Sequence, residues 1–297
     1  MKTKMDLCVG VCAVVGAIAA GQASASEFYG LTTTGALTRF DMTAHTVTTV
    51  SNLHAGATAL NVGFSEMESD GAGNLYALRS YSGSGFPPPS FNEIIRITNP
   101  TTGNALLSAS IGGTLANVHS SLAFRPSNGL FYTVRNQNGF LGTLDLTTAV
   151  HTPVSGVAHG SPFSTQSLAV NPVTGLAYAL VDRGIAPLGT VDFTLLSMNL
   201  DTGLSTTIGS LGLGTTFAAR ITGGLRFDDA AICYTVNPQD GNVYTVDVTT
   251  GAASFLFAGG TNAMGTAGIA FIPVPAPATL SFTAISLIAV SRRRRRS

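Results

Sequence analysis

Five short strand-like segments, each containing a tyrosine, recur along this 297-residue sequence. They are EFYGL, NLYAL, LFYTV, LAYAL and ICYTV, with Tyr29, Tyr76, Tyr132, Tyr178 and Tyr234 at their centres. Successive tyrosines are 47, 56, 46 and 56 residues apart. A repeat of about 50 residues made of short strands and turns is typical of a β-propeller blade.

Each repeat contains further strands around the tyrosine strand. A second strand and a turn rich in Asn, Asp, Thr, Pro and Gly follow it, as in LGTLDLTTAV and VYTVDVTTGAAS, and such turns are typical of hairpins. Four tyrosine strands are also preceded by an apolar strand, as in SLAFRPSNG. The pattern therefore predicts four short strands in each repeat.

The first repeat lacks a leading strand, whereas the apolar segment AGIAFIP, residues 267–273, is left over at the other end. A C-terminal strand that completes the N-terminal blade would close the ring and remove two exposed edges. The sequence thus predicts an all-β protein, a five-bladed β-propeller over residues 26–273 closed by its N- and C-terminal strands. A β-solenoid or two stacked sandwiches is the alternative.

The leading strands differ in charge. When the repeats are aligned on their tyrosines, the positions of Glu66 and Glu68 hold mostly small residues elsewhere: Ser121 and Ala123, Ser167 and Ala169, Gly224 and Arg226, Gly268 and Ala270. Small residues suit innermost strands crowded around an axis, so Glu66, Glu68 and Arg226 stand out. Because desolvated charges need partners, either a Glu68–Arg226 contact or a small cation held by the glutamates is possible. Solvated channel charges without a role are the third interpretation.

Two long connections, SYSGSGFPPPSFN and DRGIAPLGTVDF, are expected on one face of the predicted propeller. The first places Tyr81, Phe86 and Phe91 around three prolines, which suggests a binding surface for stacking contacts. Ordinary variation in loop length is the alternative.

Both ends of the sequence read as targeting segments. Residues 1–25 have Lys2 and Lys4, an apolar core and the small residues Ala23 and Ala25, which predicts a signal peptide cleaved after Ala25. Residues 274–297 place a short apolar segment before five arginines, which predicts a short transmembrane segment with its arginines in the cytoplasm. An ordinary tail anchor is the alternative reading.

The order of features at the C-terminus resembles the PEP-CTERM sorting signal of Gram-negative bacteria. The matching parts are Pro275 and Pro277, an apolar segment from Ala278 to Ser291, and the cluster Arg292, Arg293, Arg294, Arg295 and Arg296. Ala276 stands where that family usually has Glu between the prolines. The resemblance covers 24 residues. It implies an exosortase-like processing enzyme in the inner membrane as a partner, transient anchoring there, and release to the cell surface or extracellular matrix.

The opening EFYGLTTTGALTRFD is similar to repeat domains of secreted bacterial proteins with propeller-like folds. That resemblance implies a fold and no activity.

Charge excludes several functions for the body. Residues 26–273 contain eight arginines, fourteen acidic residues and no lysine, a net charge of −6. This argues against nucleic acid as a partner, since phosphate recognition needs basic patches. The absence of lysine excludes Schiff-base chemistry.

No catalytic motif is evident either. The five histidines lack zinc-site spacing, no Gly-x-Ser-x-Gly segment occurs, and Asp228, Asp229 and Asp240 lie in turn contexts. Cys233, the one cysteine outside the signal peptide, is expected to be a buried inert thiol. We therefore expect a non-catalytic binding or structural module without cofactor or metal, whose partner is a surface polysaccharide or a protein. The alternative is a metal-dependent hydrolase or lactonase-like enzyme with Glu66 and Glu68 in the channel.

Overall fold

The computed structural model describes residues 27–61, 63–82, 90–110, 121–135, 139–154, 164–182, 193–213 and 223–272. Over these ranges the chain forms 22 β-strands and a short 3-10 turn at Gly260–Asn262. No helix within them has the length and apolar character needed to cross a membrane. The predicted signal peptide and C-terminal sorting segment lie outside the described residues.

The strands form five sheets, which are the blades of a propeller. Blade 1 contains β22 (Thr266–Ile272), β1 (Glu27–Thr32), β2 (Ala36–Asp41) and β3 (Thr46–Asn52). Blade 2 contains β6 (Phe64–Ser69), β7 (Leu75–Ser82), β8 (Ser90–Asn99) and β9 (Asn104–Ser110), with β4 (His54–Ala55) and β5 (Thr58–Ala59) added at its outer edge. Blade 3 contains β10 (Ala123–Arg125), β11 (Leu130–Val134), β12 (Leu141–Leu144) and β13 (His151–Pro153). Blade 4 contains β14 (Ser164–Val170), β15 (Ala177–Asp182), β16 (Phe193–Met198) and β17 (Ser205–Ser210). Blade 5 contains β18 (Leu225–Phe227), β19 (Cys233–Val236), β20 (Asn242–Val246) and β21 (Ala253–Ala258).

The two ends of the body close the ring within blade 1. Strand β22 pairs with β1 in antiparallel register, from Glu27 opposite Ile272 to Thr32 opposite Thr266. The first strands of the five blades (β22, β6, β10, β14 and β18) contact one another in sequence around the axis. The predicted five-bladed architecture and its closure by both ends are therefore confirmed.

The five tyrosines occupy equivalent register positions. Each pairs with a residue of the first strand of its own blade; these partners are Ala270, Glu68, Ala123, Ala169 and Arg226 for blades 1 to 5. Residues that were aligned with one another in the sequence repeats therefore occupy equivalent positions in the five blades.

The hydrophobic core lies between the blades. Five clusters of buried apolar side chains occur, and each joins residues of two neighbouring blades. Between blades 5 and 1, for example, the Phe28 and Tyr234 rings meet edge to face with centroids 5.1 Å apart. Because strand side chains alternate between the two faces of a sheet, each blade buries both faces against its neighbours. Closure of the ring is therefore needed to complete the core.

Outer strands also reach the following blade. Ser51 Oγ in blade 1 donates to the Pro100 carbonyl of blade 2 over 2.8 Å, and Ser108 Oγ in blade 2 donates to the Leu146 carbonyl of blade 3 over 2.8 Å. His54 of β4 pairs in parallel with Asn104 of β9. The connection leaving blade 1 is thus attached to the outer edge of blade 2, a feature that the repeat pattern did not predict.

The propeller has two distinct ends. We call the end at which each first strand turns into the second the turn face, and the opposite end the loop face. Asx turns stabilise the turn face: Asp145 Oδ1 accepts from the Thr147 and Thr148 N–H groups over 2.8 and 2.9 Å. Since Glu27 pairs with Ile272 at this end, both termini of the described body lie on the turn face.

Candidate functional site

The axis of the propeller is crowded. A Cβ atom added at Gly268 would lie 2.4 Å from the Met67 nitrogen and 2.7 Å from Glu66 Oε1, and one added at Gly224 would lie 3.2 Å from the same oxygen. Small residues in the other blades therefore make room for the three charged side chains of blades 2 and 5. All three are buried, with exposed fractions of 0% for Glu66, 7% for Glu68 and 2% for Arg226.

The three charged side chains form one ion-pair cluster. Arg226 Nη2 lies 3.1 Å from Glu66 Oε1, and Arg226 Nε lies 3.4 Å from Glu68 Oε2. The Glu68–Arg226 contact considered from the sequence is thus present. The interpretation as solvated channel charges is wrong, because all three groups are removed from solvent.

Arg226 also binds backbone carbonyl groups of four blades. Its Nη1 donates to the carbonyl oxygens of Leu168 and Leu225, over 2.7 and 2.5 Å. Its Nη2 donates to those of Met67 and Leu122, over 2.5 and 2.8 Å. One guanidinium therefore satisfies acceptors on the innermost segments of blades 2, 3, 4 and 5. This role was not predicted, because carbonyl positions leave no signal in side-chain patterning.

Glu66 is held by hydrogen bonds from its surroundings. Ser167 Oγ donates to Glu66 Oε2 over 2.7 Å and accepts from the Leu225 N–H group over 2.8 Å, while the Met67 N–H group donates to Glu66 Oε1 over 3.1 Å. Burial raises the pKa of Glu66 to about 8, although the Arg226 guanidinium opposes this shift. Burial therefore shifts Glu66 toward its protonated form, against the pull of Arg226.

Glu68 is hydrogen-bonded at both carboxylate oxygens. The Ser69 N–H group donates to Oε1 over 2.8 Å, and the Phe124 N–H group donates to Oε2 over 3.2 Å. Burial raises the pKa of Glu68 too, against the charge of Arg226 and these N–H groups. Two carboxyl groups that share one guanidinium out of water favour a state in which one of them carries a proton.

A cation between the glutamates would compete with Arg226, which already contacts both. Hard cations require about six or more oxygen ligands. In the described part of the chain, no group of three or more His, Cys, Asp or Glu side chains is placed to hold a metal ion.

A small cavity opens on the axis at the turn face, with a volume of about 110 Å³. We call it the axial pocket. Its charged lining is Glu68, Arg226 and Asp229, and its apolar lining includes Phe124, Phe227 and Phe271. The axial pocket thus combines aromatic walls with a buried ion pair.

The apolar lining of the axial pocket could have been found from the sequence. Phe124, Phe227 and Phe271 each directly follow the residue that pairs with the tyrosine of their blade. Reading the next column of the repeat alignment would have shown three phenylalanines around the axis.

Two of the three residues of the predicted stacking surface lie toward the opposite end of the propeller. Tyr81 pairs with Phe91 in the ladder between β7 and β8, which leads to the loop face. Phe86 lies outside the described residues. Binding by Tyr81, Phe86 and Phe91 stays a prediction.

Two structural expectations for other polar residues are confirmed. Cys233 is buried, and burial raises the pKa of its thiol. Asp228 Oδ1 accepts from the Ile232 N–H group over 2.8 Å, and Asp240 Oδ1 accepts from the Asn242 N–H group over 2.9 Å. Both aspartates therefore stabilise turns.

No protein-family model and no curated protein matches this sequence. Solved structures with a similar architecture do exist. A chain of a nidogen/laminin complex is 10% identical, with 85% of this chain and 100% of that chain covered and a TM-score of 0.50. The likeness shows the fold alone.

Two bacterial structures are similar at lower TM-scores. A protein of unknown function from Bacteroides caccae is 8% identical over 84% of this chain and 100% of that chain, with a TM-score of 0.49. The calcium-binding protein regucalcin from Agrobacterium tumefaciens is 14% identical over 78% of this chain and 76% of that chain, with a TM-score of 0.42.

Proposed function

We propose that this protein is an exported β-propeller that acts as a non-catalytic binding module of the cell envelope or extracellular matrix. The observation that carries the proposal is that the charged groups at the axis and the pocket next to them differ in whether they are already engaged. The buried charges are engaged in holding the blades together, whereas the axial pocket beside them stays open and has aromatic walls.

The ligand we propose for the axial pocket is an end group of a larger molecule. A water molecule occupies about 30 Å³ in the liquid, so a cavity of about 110 Å³ admits only a few heavy atoms. The phenylalanine walls favour an apolar face, and the polar side chains of Ser69 and Asp229 in the lining favour a hydroxyl group. One edge of a neutral sugar residue of a surface polysaccharide, where a C–H group lies beside a hydroxyl group, has both features. A protein side chain is the other candidate.

Titration calorimetry of the protein with neutral oligosaccharides tests this proposal. Phe124 is half-buried and lines the axial pocket, so Phe124→Ala should weaken binding at least about tenfold, the loss expected when one stacking contact worth ~1.4 kcal/mol is removed. Phe255→Ala, an exposed phenylalanine on the outer strand β21, is the matched control. Equal affinities for the parent and Phe124→Ala would contradict the assignment.

We further propose the route by which the protein reaches its place. Residues 1–25 are the signal peptide, and residues 274–297 are a sorting signal with a short transmembrane segment. An exosortase-like enzyme of the inner membrane processes that signal and releases the body to the cell surface. The order of prolines, apolar segment and arginines in the C-terminal sequence supports this route.

A metal-dependent hydrolase or lactonase-like enzyme is the second candidate function. The feature that favours it is a buried carboxyl group, Glu66, with a pKa raised to about 8, since catalytic acids are often found in such settings. The position of Arg226 between the two carboxyl groups weighs against a metal there.

A further inference from the structure

A second, larger cavity lies next to the axial pocket on the turn face, where blade 3 meets blade 2. Its volume is about 790 Å³, and we call it the side groove. Blade 2 contributes Asp70 and Tyr76 to its lining, and blade 3 contributes Phe124, Phe131 and Asp145 among others. Pockets of roughly 300–1,000 Å³ hold small-molecule ligands. The side groove therefore has room for a few sugar residues, whereas the axial pocket admits only part of one.

The two cavities meet at one aromatic ring. Phe124 lines both of them, and Gly71 lines the axial pocket beside it. A Cβ atom added at Gly71 would lie 3.1 Å from Phe124 Cε1, so the absence of a side chain leaves the space next to the ring open. The equivalent positions of blades 3, 4 and 5 hold the larger residues Pro126, Pro172 and Asp229. The rim of the axial pocket is therefore most open in blade 2, toward the side groove.

Three half-buried aromatic rings follow one another along the side groove. The centroids of the Phe124 and Phe131 rings are 5.0 Å apart, and those of the Phe131 and Tyr76 rings are 5.5 Å apart. The faces of aromatic rings carry partial negative charge, which attracts the polarised C–H groups on one face of a sugar ring. The row of rings is thus suited to a chain of sugar residues.

The polar lining of the side groove accepts hydrogen bonds and has no positive charge. Asp70 and Asp145 belong to it, and no arginine or lysine is found among its described lining residues. The N–H groups of Thr147 and Thr148 lower the pKa of Asp145, so its carboxylate stays ionised at neutral pH. The hydroxyl groups of a neutral glycan can donate to these carboxylates, whereas an acidic polysaccharide would be repelled.

We propose that the side groove binds the sugar residues that follow the end group in the axial pocket, so that one neutral polysaccharide chain passes over Gly71 and Phe124 and is held by both cavities. This inference rests on the proposed function, because it takes the axial pocket as the site of the end group. It adds a second binding site and the direction in which the chain leaves the axis. Affinity should then rise with chain length, because a longer chain makes further contacts in the side groove.

Titration calorimetry of the protein with gluco-, manno-, galacto- and xylo-oligosaccharides of increasing length tests the inference. We expect a tetrasaccharide of the series that binds to have an affinity at least about tenfold higher than its disaccharide. Equal affinities for the two lengths would overturn the inference and leave the axial pocket as the site of an end group. Absence of binding in every series would overturn the proposed function as well. Binding of oligolysine in place of any sugar would assign the groove to a basic peptide and overturn the inference.

A pair of glycines in one turn tests the route between the cavities. Gly71 and Gly73 have φ values of +72° and +92°, and asparagine is among the side chains that best tolerate positive φ. A side chain at Gly71 would meet Phe124, whereas one at Gly73 has open space around it. Gly71→Asn should therefore reduce the gain from disaccharide to tetrasaccharide to less than about threefold, and Gly73→Asn should keep the parent gain. A full gain in Gly71→Asn would contradict the route.

A second variant removes an aromatic face from the side groove alone. Phe131 lines the side groove and is not part of the lining of the axial pocket. Phe131→Leu keeps an apolar side chain in the core but should lower the gain from chain length. Phe255→Leu, on the exposed outer strand β21, should keep the parent gain. Thermal melts establish that both variants are folded, and an undiminished gain in folded Phe131→Leu would overturn the inference.

Discussion

Arg226 is the residue on which the centre of the molecule most depends. It contacts both buried carboxyl groups and satisfies carbonyl oxygens of four blades at once. Removing one partner of a buried ion pair leaves an uncompensated charge, which costs about 3–5 kcal/mol. We therefore expect Arg226→Leu to lower the free energy of unfolding by at least this amount, measured by urea denaturation.

The control for this prediction is Arg39→Leu. Arg39 forms an exposed ion pair with Glu27 at 3.4 Å, and such pairs contribute about 0–1 kcal/mol. Similar losses for the two variants would show that Arg226 has no special structural role.

Glu66 should make stability depend on pH. Its folded-state pKa of about 8 lies above the ordinary value of 4.5, so between these values the folded protein holds a proton that the unfolded chain has released. A higher pH in this window favours the unfolded chain, which has already released the proton, so stability falls by up to ~1.4 kcal/mol per pH unit. Glu66→Gln should flatten urea-derived stability between pH 5 and 8.

Asp145→Asn is the control for the pH dependence. The pKa of Asp145 is lowered, so its stabilisation is lost only as the pH falls below the ordinary range of an aspartate. The parent slope between pH 5 and 8 should persist in this variant. A parent protein whose stability does not change across that window would contradict the buried titration of Glu66.

The carboxyl pair also allows a direct test of metal binding. A ligand that binds the folded state raises its stability, so thermal melts with calcium, magnesium or chelator report occupancy of the axis. We expect no metal-dependent shift in the parent, since Arg226 contacts both glutamates. A shift that is present in the parent and absent in Glu66→Gln/Glu68→Gln would favour the enzyme interpretation.

Among the elements, β22 contributes most to closure. It supplies the first strand of blade 1, and its Ala267, Ile269 and Ala270 belong to the clusters on both sides of that blade. A chain that ends at Met264 should lose most of its thermal stability, because β1 becomes an open edge and two clusters are exposed. A chain that ends at Pro273 is the control, and equal melting temperatures would contradict a closing role for β22.

The strands and their assignment to blades were predictable from the sequence where they depend on a local pattern of apolar residues and turns. The tyrosine repeat predicted the blades, and the missing strand of blade 1 predicted the pairing of Tyr29 with Ala270. Strands β4 and β5 were not predictable, because each has only two residues and is stabilised by the edge of a distant strand, β9. Nor could the sequence show that Arg226 reaches Leu122, since that contact depends on the geometry of the closed ring.

At the scale of the whole molecule, we propose that the tail decides where the protein resides. If residues 274–297 are a sorting signal, processing removes the arginines and releases the body from the membrane. Mass spectrometry of the native protein should then find a C-terminus between Pro275 and Thr279. Recovery of surface protein with Arg292 to Arg296 intact would favour a simple tail anchor.

The sequence predicted charges at the axis but not the pocket beside them. Long insertions drew attention to Tyr81, Phe86 and Phe91, whose binding role stays a prediction, whereas the axial pocket opens on the turn face beside Glu68 and Arg226. Which end of the axis carries a pocket depends on how five strands converge. No single repeat contains that information.

The position of the two termini has a mechanical consequence. Glu27 and Ile272 face each other at one end of an antiparallel pair, so tension applied between the two ends of the body pulls on the last hydrogen bonds of that ladder first. The bonds then break one after another in an unzipping geometry. In a shear geometry, by contrast, all bonds of the ladder would carry the force together. Under such tension the propeller should yield at the seam between β1 and β22 at low force, before any other blade is disturbed.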